Sequence, residues 1–235
     1  MPRRIVLAST NSNKITELRQ MIARARLPTV RQLEVVSVGT LSSYGPAPIV
    51  DEVAPDFAGN ASLKADAVAE WLRAGGASRD DLVLADDSGL CVDAFDGAPG
   101  VRSARFAGPD ASDEANNAKL VAELRARGID SSRAGYVCVL AVRHVSTRPF
   151  DFTLPESESV FPYESSLCIM GACRGEVRIE RRGTGGFGYD PHFWIDPSSD
   201  SPRTFAELSL SEKAERSHRG AAMRKLVDEL PLLLQ

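Results

Sequence analysis

No stretch of this 235-residue chain approaches the ~20 apolar residues of a membrane span. The opening MPRRIVLAST has two arginines but too short an apolar run for a signal peptide, so the chain is read as cytoplasmic. A basic patch is also missing. Lys and Arg number 28 against 32 Asp and Glu, for a net charge of -4 and a pI near 5.5. That balance argues against a long nucleic-acid duplex as partner and leaves a single nucleotide open. The four cysteines (Cys91, Cys138, Cys168, Cys173) show no CxxC spacing, and the three histidines (His144, His192, His218) lie far apart. There is thus no zinc signature, and the cysteines read as small buried apolar residues rather than a disulfide or soft-metal site. No repeat, low-complexity tract or GxxxxGK[ST] P-loop is visible. What is there is ordinary globular material, 43% apolar and 26% charged, enough for a sizeable core in one large domain or two small ones.

The chain is organised around LADDSGLCVDAFDGAPGVRSARFAG, Leu84 to Gly108. An apolar run from Leu82 to Ala85 reads as a buried strand that ends in Asp86, Asp87, Ser88 and Gly89. Neighbours on a strand face opposite sides, so only one of Asp86 and Asp87 can look into a site while the other holds backbone or a neighbour. Asp93 and Asp96 follow, and Arg102 and Arg105 add forks of the kind that grip phosphate or carboxylate. Alone, the window reads equally well as an acidic loop capped by ion pairs.

Before it, Arg4 to Ala8 is a short strand. Ser9, Thr10, Asn11, Ser12 and Asn13 lead to Lys14 and a helix with Ile15, Leu18, Ile22 and Ala25 on one stripe. Strand, polar turn and helix N-terminus make a phosphate-binding layout, or simply a Ser/Asn helix cap with a surface lysine. Glu34 to Val38 is a second strand. The irregular Gly39 to Pro55 stretch holds the acidic pair Asp51 and Glu52. Asn60 is read as the cap of a helix with Ala61, Ala65, Val68 and Leu72 inward, Lys64 in its first turns and Gly75-Gly76 at its end. Strand and helix therefore alternate through the front half, as in an α/β protein.

A helix over Ser112 to Arg127 is read with Ala115, Ala118, Val121 and Leu124 inward, and Gly135 to Arg143 is the best strand candidate. His144 to Ser165 is a long connection or extended hairpin. Leu167 to Ala172 and Glu176 to Arg181 read as strands joined by a turn at Arg174-Gly175, which makes this part of the sheet antiparallel or mixed. GTGGFGYDP, Gly183 to Pro191, contains a formal GxGxxG but no following helix, so it is not a dinucleotide fingerprint. Its glycines allow close backbone approach to a ligand, with Phe187 or Tyr189 to stack on a flat ring, or it is a glycine-rich turn with core aromatics. A last helix opens at Ser209 with a capping box to Glu212 and runs to Leu230 before Pro231. Lys213 and Ser217 share a face there, whereas His218 and Arg219 lie ~100° and ~200° farther round. Either the helix bends near Ser217 or these residues flank a ligand from its edge.

Four blocks, LASTNSNKITEL, LADDSGLCVDAFDGAPGVRSARFAG, GTGGFGYDPHF and EKAERSHRGAAM, together resemble the non-canonical purine nucleoside triphosphate pyrophosphatases of the inosine triphosphate pyrophosphatase type. They occur in that family's order across nearly the whole chain. The resemblance implies a single α/β domain over 1–235, with an elongated mixed central sheet flanked by helices and a substrate cleft between two lobes. It implies hydrolysis of ITP, dITP or XTP to the monophosphate and pyrophosphate, which clears damaged bases from the nucleotide pool, with Mg²⁺ as cofactor. A homodimer follows from the same likeness, while the charge balance and the lack of a long apolar run argue against a nucleic-acid or membrane partner. It also implies roles for residues. Ser9, Thr10, Asn11, Ser12, Asn13 and Lys14 match the phosphate loop, with Lys14 meeting the triphosphate. Glu52 and Asp87 match the metal-binding carboxylates, and Asp87 the base that activates water. Ser88 matches a substrate contact. Phe187, Gly188, Tyr189 and Asp190 match the nucleoside segment, and Lys213, His218 and Arg219 the block that reads phosphate and base.

These residue types suit the chemistry. Departure of pyrophosphate needs cations and a metal on its oxygens, and Mg²⁺ takes one or two carboxylates and keeps several waters. Donors on the O6 edge of hypoxanthine or xanthine would be left unpaired against adenine, at about 1–3 kcal/mol per contact. Two departures stand out: Thr10 where the family commonly has glycine, and Gly59 in place of an acidic residue, expected on the surface. Competing readings are a related pyrophosphatase acting on other modified bases and a non-catalytic nucleotide-binding protein.

Overall fold

The computed structural model describes residues 3–24, 33–147, 150 and 157–234. Its eight-stranded mixed sheet has the order β2, β1, β3, β4, β6, β7, β8, with β5 pairing β6 off this path. β1 (Arg4–Leu7) lies parallel to both β2 (Glu34–Ser37) and β3 (Leu82–Val92), with Ile5 opposite Val35 and Leu82. α1 (Ser12–Arg24) and α2 (Phe57–Ala74) fill the crossovers that parallel strands require. Farther along come α3 (Asp113–Ala126), β4 (Ser131–His144), β5 (Val160–Tyr163), β6 (Ser166–Arg178), β7 (Phe193–Ile195) and β8 (Arg203–Thr204). The pairs β5–β6, β6–β7 and β7–β8 are antiparallel, the change of sheet character expected for the back half. α4 (Leu210–Arg216) and α5 (His218–Leu233) close the chain. Among the described residues no helix is long and apolar enough to cross a membrane.

The chain forms two compact units. The first holds Met1–Asp87, Val139–Gly171 and Ala222–Gln235, and the second holds Ser88–Cys138 and Ala172–Ala221. In the first, Ile5, Val6 and Leu7 of β1 and Leu82, Val83 and Leu84 of β3 are buried, as expected for parallel strands covered on both faces. Leu18 and Ile22 of α1 and Ala61, Ala65, Val68 and Leu72 of α2 supply the expected inward stripes; Ala25 lies outside the described residues. In the second, Leu90, Val92, Leu120, Leu124, Val177, Phe193 and Phe205 cluster around Tyr136. The Tyr136 ring stacks on Phe205 at 5.8 Å and packs against Phe193 at 4.7 Å. None of the four cysteines forms a disulfide, and burial lifts the Cys168 and Cys173 thiols to about 11, which leaves them protonated and inert near neutrality.

Several local expectations are corrected. β3 does not stop at Ala85 but runs through Asp86-Asp87-Ser88-Gly89 to Val92. Such residues are depleted in strands, and they are tolerated here because side chains from the flanking helices neutralise the carboxylates. α2 is capped by Asp56, whose carboxylate accepts the Gly59 N–H at 2.7 Å, so Asn60 sits inside the helix. Gly59 is buried, and a Cβ there would lie 2.6 Å from that of Ala54. On α3 the inward residues are Asn116, Asn117, Leu120 and Leu124, while Ala115 and Ala118 are exposed. The Asn116 amide accepts from the Ala107 N–H and donates to the Ala104 carbonyl, so a polar side chain fastens the preceding loop and sets the phase of the helix.

No turn occurs at Arg174-Gly175, because β6 is continuous from Ser166 to Arg178. A Cβ at Gly175 would stand 2.3 Å from the Trp194 carbonyl oxygen, so the glycine is there for close approach of β7. The last helix is two helices. Ser217 is extended (φ −76°, ψ 156°), ends α4, and accepts the Gly220 N–H with its hydroxyl at 3.1 Å. α5 then continues through Pro231 to Leu233.

Gly175→Ala should lower stability by about 1–3 kcal/mol, the range for overpacking a filled interior, read from the urea midpoint. Burial holds the His192 imidazole below its ordinary pKa, with Nδ1 2.9 Å from the Arg178 carbonyl. The folded state therefore binds fewer protons at this site, and its contribution to stability is present above the unfolded pKa of about 6.5. It declines as pH falls through that value. His192→Gln should flatten the fall in unfolding free energy between pH 7.5 and 5.5, and an unchanged slope would reject the assignment.

Candidate active site

At the end of β1 the chain turns into α1 on a scaffold of short bonds. The Ala8 N–H donates to the Leu84 carbonyl at 2.8 Å, and the Ser37 hydroxyl donates to the Ser9 carbonyl at 2.6 Å. The Asn11 N–H donates to the Ser9 hydroxyl at 3.2 Å. Thr10 is exposed, and its methyl lies 3.3 Å from where a Cβ on residue 39 would stand. Glycine at 39 thus makes room for Thr10, the position that departs from the resembled family. Ser12 and Asn13 form the first turn of α1. From the same turn Lys14 reaches β3, its ammonium 2.7 and 2.8 Å from the two carboxylate oxygens of Asp86.

Asp86 and Asp87 are 6% and 8% exposed, so each carboxylate needs a partner. Asp87, the next residue of β3, finds them on α2: the Asn60 amide nitrogen at 3.3 Å and the Lys64 ammonium at 3.5 Å. Asn60 and Lys64 are four residues apart and share a helical face. Lys64 also donates to Glu52 at 2.7 Å, and the Asn60 carbonyl oxygen accepts the Ala54 N–H at 2.9 Å, which ties the Glu52 segment to the same helix. Two carboxylates from different segments thus meet at one ammonium. Among the described residues no three or more His, Cys, Asp and Glu are placed to cage a metal. A hard cation that keeps most of its waters needs only one or two carboxylates, and the pair that already shares the Lys64 charge is a donor set of that kind.

In the second unit the segment from Phe187 to Asp190 is pinned throughout. Asp190 is 2% exposed and accepts the Phe187 N–H at 2.8 Å and the Lys213 ammonium. Burial pushes its carboxyl above the ordinary range, and Lys213 opposes the shift. Tyr189 is buried, with its hydroxyl donating to the Ser103 carbonyl at 2.8 Å. Of the two aromatic rings proposed for stacking, then, Tyr189 packs in the core and Phe187, 63% exposed, faces outward with the Lys213 ammonium 4.3 Å from its ring centre. Gly188 has φ +60° and is held by Asp113 and Asn117 of α3. At the α4–α5 break the buried His218 ring stacks on Tyr136 at 4.8 Å, and Arg219 donates to the Ser88 hydroxyl at 3.3 Å.

The structure therefore gathers the expected residues into two constellations. Lys14, Glu52, Asp86 and Asp87 belong to the first unit; Ser88, Phe187 to Asp190, Lys213, His218 and Arg219 belong to the second. Sequence reasoning did not assign the Asp87 contacts of Asn60 and Lys64, nor the part of Asp113 and Asn117. Their i, i+4 spacings were the available signal. The neighbouring carboxylates Asp86 and Asp87 each meet a different lysine.

In the first unit two acid–lysine pairs stand within β3, and in the second an exposed aromatic stands on a glycine loop. The chain belongs to the Ham1 family, whose profile matches residues 5–229. It is similar to the dITP/XTP pyrophosphatase of Exiguobacterium sibiricum, 39% identical over 231 residues and covering 98% of each chain. A dITP/XTP pyrophosphatase of another Exiguobacterium species is 41% identical over 227 residues, 97% of this chain and 96% of the relative. Among solved structures it resembles a HAM1 protein from Coxiella burnetii (TM-score 0.78, 32% identity, 97% and 98% of the two chains). It also resembles a nucleoside-triphosphatase / dITP/XTP pyrophosphatase from Mycobacterium abscessus (TM-score 0.66, 31% identity, 97% and 99%).

A cation held by Glu52 and Asp87 would compete with Lys64 for both carboxylates, so Lys64→Met should tighten binding of Mn²⁺ or Mg²⁺ in the absence of nucleotide. The expected gain is about fivefold, what ~1 kcal/mol of displaced ion pairing supplies. Titration calorimetry reads it, and weaker metal binding in the variant would contradict the shared site.

Proposed function

We propose that this chain hydrolyses dITP, ITP and XTP to the nucleoside monophosphate and pyrophosphate, with Mg²⁺ as cofactor and as a homodimer. The observation that supports this most directly is the convergence of Glu52 and Asp87 on one ammonium, in a chain that matches dITP/XTP pyrophosphatases over its whole length. Glu52 and Asp87 would hold the metal ion, which when bound neutralises charge on the phosphate oxygens.

The chain's own residues do the rest. Lys14, Lys64 and Lys213 each rest on a carboxylate. Each is a cation that can turn from that carboxylate to a phosphate oxygen as substrate arrives. Asp87, steadied by the Asn60 amide, accepts a proton from the attacking water. The N–H groups at the start of α1, with Ser9 to Asn13, receive phosphate oxygens. Phe187 stacks on the base, and Ser88 contacts the substrate from the strand position next to Asp87. His218, oriented by its stacking on Tyr136, and Arg219 present donors to the O6 edge. An adenine amino group there leaves a donor unmet, at about 1–3 kcal/mol, or about ten- to hundredfold in selectivity per contact.

The test is release of pyrophosphate and orthophosphate from equal ITP, XTP, dITP, GTP, ATP and dTTP with Mg²⁺. Pyrophosphate confined to the first three supports the proposal; orthophosphate, or equal rates on all six, overturns it. Asp87→Asn should lower kcat by about 10²–10⁴, the usual contribution of a positioned general base, with the urea midpoint retained. A variant keeping most of its rate would remove that role from Asp87. Sedimentation velocity tests the dimer.

A further inference from the structure

The geometry points to Asp113 and Asn117 as positioning residues that fix the Phe187 ring for base recognition by clamping both ends of the Gly188 residue from one face of α3. The Gly188 N–H donates to the Asp113 carboxylate at 2.7 Å, and the Gly188 carbonyl accepts from the Asn117 amide at 2.9 Å. Asp113 and Asn117 are i and i+4 on α3, so their side chains stand one above the other. A residue grasped at both its N–H and its C=O has little freedom to rotate. The clamp falls on the residue next to Phe187, where the backbone turns left-handed at φ +60°. On the other side of the ring, the Phe187 N–H is held by Asp190 at 2.8 Å. The ring is 63% exposed, so its position depends on its backbone and on the Lys213 ammonium 4.3 Å from its centre.

Two further features mark the clamp as more than loop repair. Asn117 is 4% exposed, and its carbonyl oxygen is buried without a hydrogen-bond partner, so the amide is retained for its donor side. A leucine at that inward position of α3 would satisfy the core but not the Gly188 carbonyl. Asp113 lies in the first turn of α3, where a carboxylate is favoured by the helix dipole. Its bond to Gly188 is charge-assisted, and so stronger than a neutral one. The α3 stem, whose Leu120 and Leu124 are fully buried, is thereby made the rigid support of the nucleoside loop.

The inference rests on the reading that Phe187 stacks on the base, and the test separates the two. Steady-state kinetics with ITP, and inhibition constants for pyrophosphate, are measured for the wild-type protein and for Phe187→Ala, Asn117→Ala, Asp113→Ala and Asp113→Asn. Asn117→Ala keeps a strong helix former in α3, and Asp113 is exposed, so its variants keep the fold. The expected result is a rise of about tenfold in the KM for ITP in Asn117→Ala and a smaller rise in Asp113→Ala. Asp113→Asn, which keeps an acceptor oxygen, should recover most of the loss. The pyrophosphate constant should stay within about twofold in all of them, since it does not involve the base. An equal change in both constants would mean a merely structural role and overturn the proposal. So would an unchanged KM in Asn117→Ala while Phe187→Ala raises it. An unchanged KM in Phe187→Ala itself would overturn the stacking reading, and the clamp's role with it.

Discussion

Two neighbouring carboxylates buried in one strand repel each other and lose their water, and the first unit is built around making that pair tolerable. Strand alternation sends Asp86 and Asp87 to opposite faces. The sheet carries a helix for each: α1 delivers Lys14 to Asp86, and α2 delivers Asn60 and Lys64 to Asp87. This requirement explains why β3 can hold Asp-Asp-Ser-Gly at all, and why parallel pairing with β1 places the start of α1 beside the acidic residues. Removing either lysine takes a cationic partner from a buried carboxylate, which is destabilising. The residues that hold the fold together at this point are those proposed above to meet phosphate and metal.

The second unit solves a different problem. An exposed aromatic ring is useful only if its direction is fixed, and a glycine-rich loop is a poor frame for it. Here rigidity comes from below: Tyr189 anchors to the Ser103 carbonyl, Asp190 gathers Lys213 and the Phe187 N–H, and α3 holds Gly188. The buried Asp190 carboxylate stands to the loop as Asp86 stands to β3, a desolvated charge kept in place by a lysine from another element.

Much of this was legible in the sequence, and the failures share a cause. The apolar stripes of α1 and α2, the capping box at Ser209 and Glu212, and the strand–turn–helix opening followed from periodicity and local chemistry. The site residues became nameable through four blocks that resemble one family, and membership of the Ham1 family agrees with that likeness. Errors arose where a polar or small residue was judged by its usual habit. Gly175 has the habit of a turn residue but serves close strand packing; Asn60 has the habit of a cap but serves a carboxylate. Asn116 and Asn117 look like surface residues on α3 and are buried because their amides bind backbone groups of other segments. Propensity describes what a residue does alone, and these residues are defined by partners that only the folded chain supplies.

The extended residue at Ser217 has an effect on the later history of the chain. A continuous helix would make the direction of His218 and Arg219 depend on the length of everything since Ser209, and one inserted residue would swing both by ~100°. Because α5 restarts with its own cap at Ser217, its phase is independent of α4. The stretch that carries Glu215 and Arg216 can therefore drift in composition without turning His218 and Arg219 away from where they point.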